Sequence, residues 1–464
     1  MSHMGIVLGT IVIIWAGLTA GFGLYLQTRC AAYLERGSSS FFALSQITFP
    51  NAAVIFDAAI AIKCFGVGVS YLIIIGDLMP GVVRGFSHED NIVPFLVDRR
   101  FWVTAFMLIV IPLSFLRRLD SLKYTSIIAL ISIGYLVILV VYHFGAHDTI
   151  DHYTSPLRVF TWAGPIQALS SFPVIVFAYT CHQNMFSILN EIKDNSHLRT
   201  TTLVAASIGI AGSTYILVAI TGYLSFGNEI GGNIVAQYAP SVSATIGRAA
   251  IVVLVMFSYP LQVHPCRASV DAVLKWRPKG NLKSKLLPGS STPSSASSPP
   301  RTQPLLNPTG KKQNAELSEV RFAAITTAII VLSYIVAMTV SSLETVLAYV
   351  GSTGSTTISF ILPGLFYYRI SSPDSPHHQR LVKQEDDYDY DDESRPALTS
   401  GGQDEDDNEE EQGLLSRSTI LRRLSGSRNW RRKMLRRASL TLAIYGFVVM
   451  VTCLITNTFF VAAH

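Results

Sequence analysis

Residues 171–188 read SFPVIVFAYTCHQNMFSI, and the behaviour of that stretch decides the fold. It lies inside a run, 165–190, that is long and apolar enough to cross hydrocarbon, for which about 20 residues suffice. Pro173 has no N–H, so the carbonyl of Leu169 loses its helical donor. Beyond it, Phe177, Ala178, Tyr179, Thr180 and Cys181 fall at mid-span and gather polar atoms where lipid supplies no water. A backbone group left unpaired in lipid costs several kcal/mol, so a helix interrupted at that depth must line a cavity or be buried in protein. The stretch therefore predicts an interrupted helix beside a solute-binding place. The alternative is a kinked structural helix whose polar atoms bond to neighbours.

Working outward, similar runs lie near 5–29, 52–80, 125–144, 203–226, 244–264, 321–342, 345–367 and 440–462. The shorter run 101–116 is flanked by Arg99, Arg100, Arg117 and Arg118 and is counted as a span, which makes ten. None shows the alternation of a membrane barrel. Only 14% of the 464 residues are charged, against about a quarter in soluble domains, and mean hydropathy is positive. The expected fold is an all-α polytopic membrane protein, a single transmembrane domain over 1–464. Polar segments 265–320 and 368–437 are expected as disordered cytosolic linkers, because they hold too little apolar surface to offset ordering entropy.

Charge sets the orientation. Ten spans place both ends on one side, with five Lys and Arg there, thirty on the other side and Lys63 in between. Long loops weigh little, but Arg267, Lys275 and Arg277 follow one helix and Arg431, Arg432, Lys433, Arg436 and Arg437 precede another, so the basic side is cytosolic. The net charge of +5 is thus an orientation signal and no sign of nucleic-acid binding. Five cysteines without a CxxC pair suggest neither a disulfide framework nor a zinc site, and no nucleophile–base constellation points to an enzyme.

Other intramembrane residues join the candidate list. The seventh span, AIVVLVMFSYPLQVHP, repeats the proline device: Pro260 frees the carbonyl of Met256, with Ser258 and Tyr259 beside it as lining candidates. The ninth, VGSTGSTTISFILPGLFY, carries Pro363, expected with Pro173 and Pro260 to break its helix, and a string of hydroxyls whose expected role is helix packing. Asp57 and Lys63 lie about 8 Å and about 17 Å in from the cytosolic end of the second span. About 240° apart around the helix, they do not pair. Asp57 is a coupling or gating candidate whose alternative is simply to reach the interface, while Lys63 serves either coupling and gating or a structural ion pair. His182 follows the fifth-span interruption and is a candidate proton-linked group, with a hydrogen-bonded structural role as the alternative.

In the polar segments, Glu410-Glu411-Gln412-Gly413-Leu414-Leu415 resembles an acidic dileucine sorting signal for an adaptor. Ser425 and Ser439 each follow an Arg-Arg pair, as basophilic kinase sites do. A basic stop-transfer flank is the plainer reading of both.

Four motifs carry a resemblance: IKCFGVGVSYLIIIGDLMP, SFPVIVFAYTCHQNMFSILNEI, FSYPLQVHPCR and VGSTGSTTISFILPGLFYYR. They resemble the amino acid/auxin permease family, most of all its fungal vacuolar amino acid transporters, and also animal sodium-coupled neutral amino acid transporters. The resemblance implies an eleven-helix, leucine-transporter-type inverted-repeat bundle of the APC superfamily, whose broken first and sixth helices cradle the substrate. The family's sixth helix matches 165–190, its eighth 244–264 and its third 52–80. Its first helix has no counterpart after Met1, so a truncated chain is expected. The function implied is secondary amino acid transport across a vacuolar membrane (the plasma membrane being the alternative), driven by a proton gradient, or by sodium, with no other cofactor. A non-transporting sensor or scaffold, or an inactive truncated carrier, is the competing expectation.

Overall fold

A computed structural model gives the fold. It describes residues 1–86, 93–116, 122–147, 149, 156–275, 319–380, 383 and 407–461, and the side chains of all of these except 122–126, 407–429 and 460–461. Among the described residues there is no strand. Helices α1 (Ile6–Ala31), α2 (Phe41–Thr48), α3 (Ala53–Phe86), α4 (Arg99–Ser114) and α5 (Leu122–Ala146) come first. Then follow α6 (Pro165–Ala178), α7 (His182–Glu191), α8 (His197–Phe226), α9 (Ile234–Gln237) and α10 (Val242–Lys275). Helices α11 (Glu319–Thr339), α12 (Leu343–Val350), α13 (Leu362–Ile370) and α14 (Asp407–Ile455) complete the bundle. Eight helical stretches among the described residues are long and apolar enough to cross a membrane. The other two expected spans are α4, with 16 residues, and the divided α6–α7.

Helix α3 is the central post, with two thirds of its most apolar window buried. It approaches α12 at Gly66, where any side chain would overlap Val350, and α10 at Gly85, where one would overlap Thr245. Helix ends that the charge count assigns to one side meet. On the side that the charge count makes luminal, Arg99 pairs with Asp77 at 3.2 Å and donates to the carbonyls of Ala337 (3.0 Å) and Val340 (3.3 Å), closing the end of α11. Arg248, 3% exposed, donates to the carbonyls of Val235 at 3.1 Å and of Tyr238. These two arginines satisfy helix-end carbonyls, so the luminal basic count overstates the free positive charge on that side.

Three sequence expectations need correction. The prolines do not end their helices: Pro173 lies inside α6, Pro260 inside α10, and Pro363 in the first turn of α13. A proline removes one ladder bond, and its neighbours hold the helix; at Pro363 the preceding π-helical turns, Gly351–Ser355 and Thr357–Ile361, already widen the ladder. Residues 265–275, expected as the start of a linker, are helical instead, because α10 continues to Lys275. Arg267 lies over the Phe322 ring at 4.0 Å and bonds Thr326 Oγ1 at 3.1 Å, and Asp271 bridges Lys275 and Arg321, each at 2.6 Å. Polar composition there marks a helix end packed on α11. Likewise α14 starts at Asp407, inside the stretch read as linker to 437. Residues 276–318 and 384–406 lie outside the described residues.

Candidate functional site

The interruption exists, five residues beyond Pro173. Helix α6 ends at Ala178, Tyr179 takes φ −89° and ψ 1°, Cys181 takes φ −119° and ψ 4°, and α7 starts at His182. Lipid cannot satisfy the groups thus freed, and the protein does so in part. Tyr215 on α8 donates its phenol to the carbonyl of Ala178 at 2.7 Å. Thr180 turns its hydroxyl back to the carbonyl of Val176 at 2.9 Å, and its amide bonds Phe177 O at 2.9 Å. The Tyr179 ring meets Tyr215 edge-on at 5.1 Å and fits between helices because Gly17 of α1 and Gly212 of α8 lack side chains; a Cβ on either would lie about 3 Å from its phenol oxygen.

On the opposite flank His182 is fully buried. Its Nε2–H donates to the carbonyl of Ala20 on α1 at 3.1 Å, and its Nδ1 faces Ser359 Oγ at 3.1 Å. Ser359 Oγ also lies 3.3 Å from Thr180 Oγ1. Since Nε2 must carry hydrogen to bond a carbonyl, Nδ1 alone distinguishes the two charge states. In neutral His182, Nδ1 accepts from the Ser359 hydroxyl. In the imidazolium, Nδ1–H donates to Ser359 Oγ, whose hydrogen turns to Thr180.

Lys63 closes the cluster. It is 3% exposed, and a Cβ on Gly354 would sit 2.6 Å from its own Cβ, so α3 and the first π turn are in close contact there. It lies near enough to act electrostatically on both Cys181 and His182. No ion pair or hydrogen bond to its ammonium is found among the described residues, which leaves the structural ion pair without a partner there. Asp57 is half-buried and does not pair with Lys63. Among the described residues, the buried Gln183 Oε1 and Ser355 Oγ, adjacent in sequence to His182 and Gly354, have no hydrogen-bond partner.

The expected lining residues therefore separate. Ala178 and Cys181 are exposed and Phe177 and Thr180 partly so. Tyr179 contributes backbone only, as its side chain is 3% exposed between α1 and α8. Ser258 bonds the carbonyl of Leu254 on its own helix at 2.7 Å, and Tyr259, fully buried against Gly68, bonds Ser333; neither is brought to the interruption. Ser439 is also fully buried, its hydroxyl on the carbonyl of Arg436 at 2.8 Å, so a kinase cannot reach it in this fold. The side chains of Leu414, Leu415 and Ser425 lie outside the described residues. Sequence reasoning missed Ser359 and the Ala20–Gly23 face of α1. Most hydroxyls of the ninth span do return to their own helix, as Ser352 to Ala348 O and Thr353 to Tyr349 O, and Ser359 differs from them by contact alone.

Residues 1–386 match the family described as "Transmembrane amino acid transporter protein". The chain is 41% identical over 389 residues to vacuolar amino acid transporter 5 of Schizosaccharomyces pombe, covering 82% of this chain and 83% of that one. It is 41% identical over 388 residues to vacuolar amino acid transporter 6 of Saccharomyces cerevisiae, covering 79% and 84%. Sodium-coupled neutral amino acid transporter 7 of Danio rerio is similar at 30% over 234 residues, 49% of each chain.

Proposed function

The chain belongs to the transmembrane amino acid transporter family, and from that premise we propose that it carries amino acids across the vacuolar membrane, coupled to proton movement, with the substrate held at the Tyr179–Cys181 interruption. The observation that carries the reading is the interruption itself. An amino acid is a zwitterion, and divided helices offer both partners it needs. The C-terminal end of α6 presents carbonyls and partial negative charge to an ammonium, and the N-terminal end of α7 presents amides and partial positive charge to a carboxylate. Small, exposed Ala178 and Cys181 let the ligand reach that backbone.

Proton coupling is supported by the His182–Ser359–Thr180 chain, which converts a change of charge on one imidazole into a hydroxyl turn beside the substrate. Lys63, a buried cation without a described counter-ion, is the second coupling group. A carboxylate-bearing ligand or a deprotonated state would relieve its burial cost. The vacuolar placement draws on the names of the fungal relatives.

Reconstituted vesicles test the reading. Labelled amino acid should accumulate when a pH gradient is imposed, and a sodium gradient alone should not drive it. Uptake that follows sodium and ignores pH would remove the proton mechanism; absence of flux under every gradient would remove the carrier reading.

A further inference from the structure

Helix α7 does not inherit its direction from α6, because Tyr179 and Cys181 between them depart from helical dihedrals. Its place must come from tertiary contacts. Met185, Phe186 and Leu189 are buried on one face of α7, and the Phe186 ring stands edge-on to Phe41 of α2 at 4.9 Å. Apolar burial of this kind is non-directional and fixes the tilt of a helix only loosely. Hydrogen bonds are directional, and α7 has them at both ends. At its first turn His182 bonds Ala20 and Ser359. At the other end Asn190 bonds Ser39, in the connection between α1 and α2, 151 residues away in the chain.

The Asn190–Ser39 contact is reciprocal. Oδ1 accepts the Ser39 N–H at 3.0 Å and Nδ2 donates to the Ser39 carbonyl at 2.8 Å, so the planar amide is fixed by both of its groups. Ser39 is buried, and the next residue, Ser40, caps α2 by accepting from the Ala43 amide at 3.0 Å. The contact therefore ties the end of α7 to the start of α2. Helix capping does not require it: carbonyls in the last turn of α7 are taken by Asn195 Nδ2 on Leu189 O at 2.8 Å and by the Ile192 amide on Ile188 O at 3.0 Å. Exposed Arg36 joins the same two segments, donating to the carbonyl of Lys193. Beside these bonds lies a cleft of about 440 Å³, lined by Thr28 and Leu34 and by Leu189, Asp194 and Thr200, so packing does not wedge this end of the helix in place.

We propose that Asn190 is a positioning residue for transport: by holding the end of α7 against Ser39 it sets the tilt of that helix, and with it the place of the His182 end that meets the substrate. The proposal rests on the transport reading for what the first turn of α7 binds; the tie itself does not depend on it. Ten residues make α7 about 15 Å long, so a tilt of about 10° about the Asn190 end carries its first turn roughly 2–3 Å. A 3.1 Å bond from His182 to Ala20 does not survive such a shift. Movement of the α1–α2 connection reaches the interruption by the same lever.

The test compares N190A and R36A with N195A, which removes a cap of the same helix and leaves the tie to Ser39 intact. In the purified full chain in detergent, the rate at which N-ethylmaleimide modifies the exposed Cys181, followed by mass spectrometry of its peptide, should rise severalfold in N190A, less in R36A and not in N195A. A net hydrogen bond is worth about fivefold in an equilibrium, so in vesicles the half-saturating amino acid concentration should rise by about tenfold to thirtyfold in N190A and by about fivefold or less in R36A, with maximal uptake near that of the wild type. Loss of folded protein alone would lower maximal uptake and leave half-saturation unchanged. A Cys181 rate in N190A equal to that of the wild type, an equal rise in N195A, or a fall in maximal uptake alone would each overturn the proposal. If N190A does not fold, R36A, whose side chain is exposed, decides in its place. Absence of flux in the wild type would remove the carrier reading itself, whereas wild-type flux with unshifted N190A would remove the role of Asn190 alone.

Discussion

Gly23→Ala is a change of one methyl group that should damage the protein well beyond its size. A Cβ at Gly23 would overlap the carbonyl oxygen of Ser359 and stand 2.9 Å from His182 Nε2. Neither neighbour can yield cheaply, since one is backbone and the other is bonded at both ring nitrogens. Relief requires α1 to move outward, and the 3.1 Å bond from His182 to Ala20 lengthens with it. Overpacking of this kind costs about 1–3 kcal/mol and the weakened hydrogen bond about 1 kcal/mol more. Against this, alanine gains about 1 kcal/mol of helix propensity over glycine. The net destabilisation is therefore about 1–3 kcal/mol. Gly21→Ala is the internal control. It lies on the same helix two residues away, and its Cβ would meet nothing closer than 3.7 Å, so propensity alone should leave it neutral or slightly stabilised. Melting followed by size-exclusion chromatography in detergent and uptake in vesicles are the assays. G23A should melt below G21A and lose most of its uptake. If the two variants melt together and transport alike, the close approach of α1 to the His182–Ser359 pair is not what the structure describes, and the relay built on it falls.

Further outcomes follow from other contacts. Lys63→Met removes a buried charge that has no described counter-ion, so the variant should melt at or above the wild type while uptake is abolished; retained uptake would end its coupling role. Tyr215→Phe leaves the carbonyl of Ala178 without its donor and should cost about 1 kcal/mol or somewhat more in stability with reduced uptake, and wild-type values in both assays would show the interruption is held elsewhere. Hydrogen bonds from Ser196 and the nearby Arg199 hold the exposed Asp194 carboxyl below the usual carboxylate range. A depressed value stabilises the fold above that range and is lost as pH falls through it, so Asp194→Asn should lower melting at pH 7 and have a vanishing effect near pH 3; a pH-independent difference would argue against that origin. Phosphopeptide mapping after treatment with a basophilic kinase should leave Ser439 unmodified, given its burial, and modification of the folded protein there would contradict the packing of α14.

The parts of this account that were legible in the sequence are those set by solvent. Spans near 5–29, 52–80 and 203–226 correspond to α1, α3 and α8 because apolar length is a property of single segments. The interruption near Tyr179 was legible for the same reason: a run of Tyr, Thr and Cys at mid-span is costly unless it borders polar surroundings. Its cause was misplaced, since the eye goes to Pro173, whereas the helix yields where Tyr215 and Ser359 can take over its polar groups. Those partners are 36 and 180 residues away from Tyr179 in the chain, and no local pattern ties them together. Tyr259 shows the converse error. It lies next to an intramembrane proline yet turns to Ser333 and Gly68, a contact between α10, α11 and α3 that only packing defines. Arg267 and Asp271 misled through composition: charge read as a sign of linker is here satisfied by α11.

The most direct measurement concerns Cys181. It is exposed at the interruption, while Cys30, Cys64, Cys266 and Cys453 are buried, so the native chain already carries one accessible thiol to probe. A charged methanethiosulfonate reacts with thiolates in water and spares thiols facing lipid. In vesicles the wild type should be modified rapidly, Cys181→Ser should not, and a transported amino acid should slow modification in step with its saturation of uptake. If the thiol proves inert to the charged reagent, or reacts at a rate no amino acid alters, the interrupted helix does not border a wet substrate cavity.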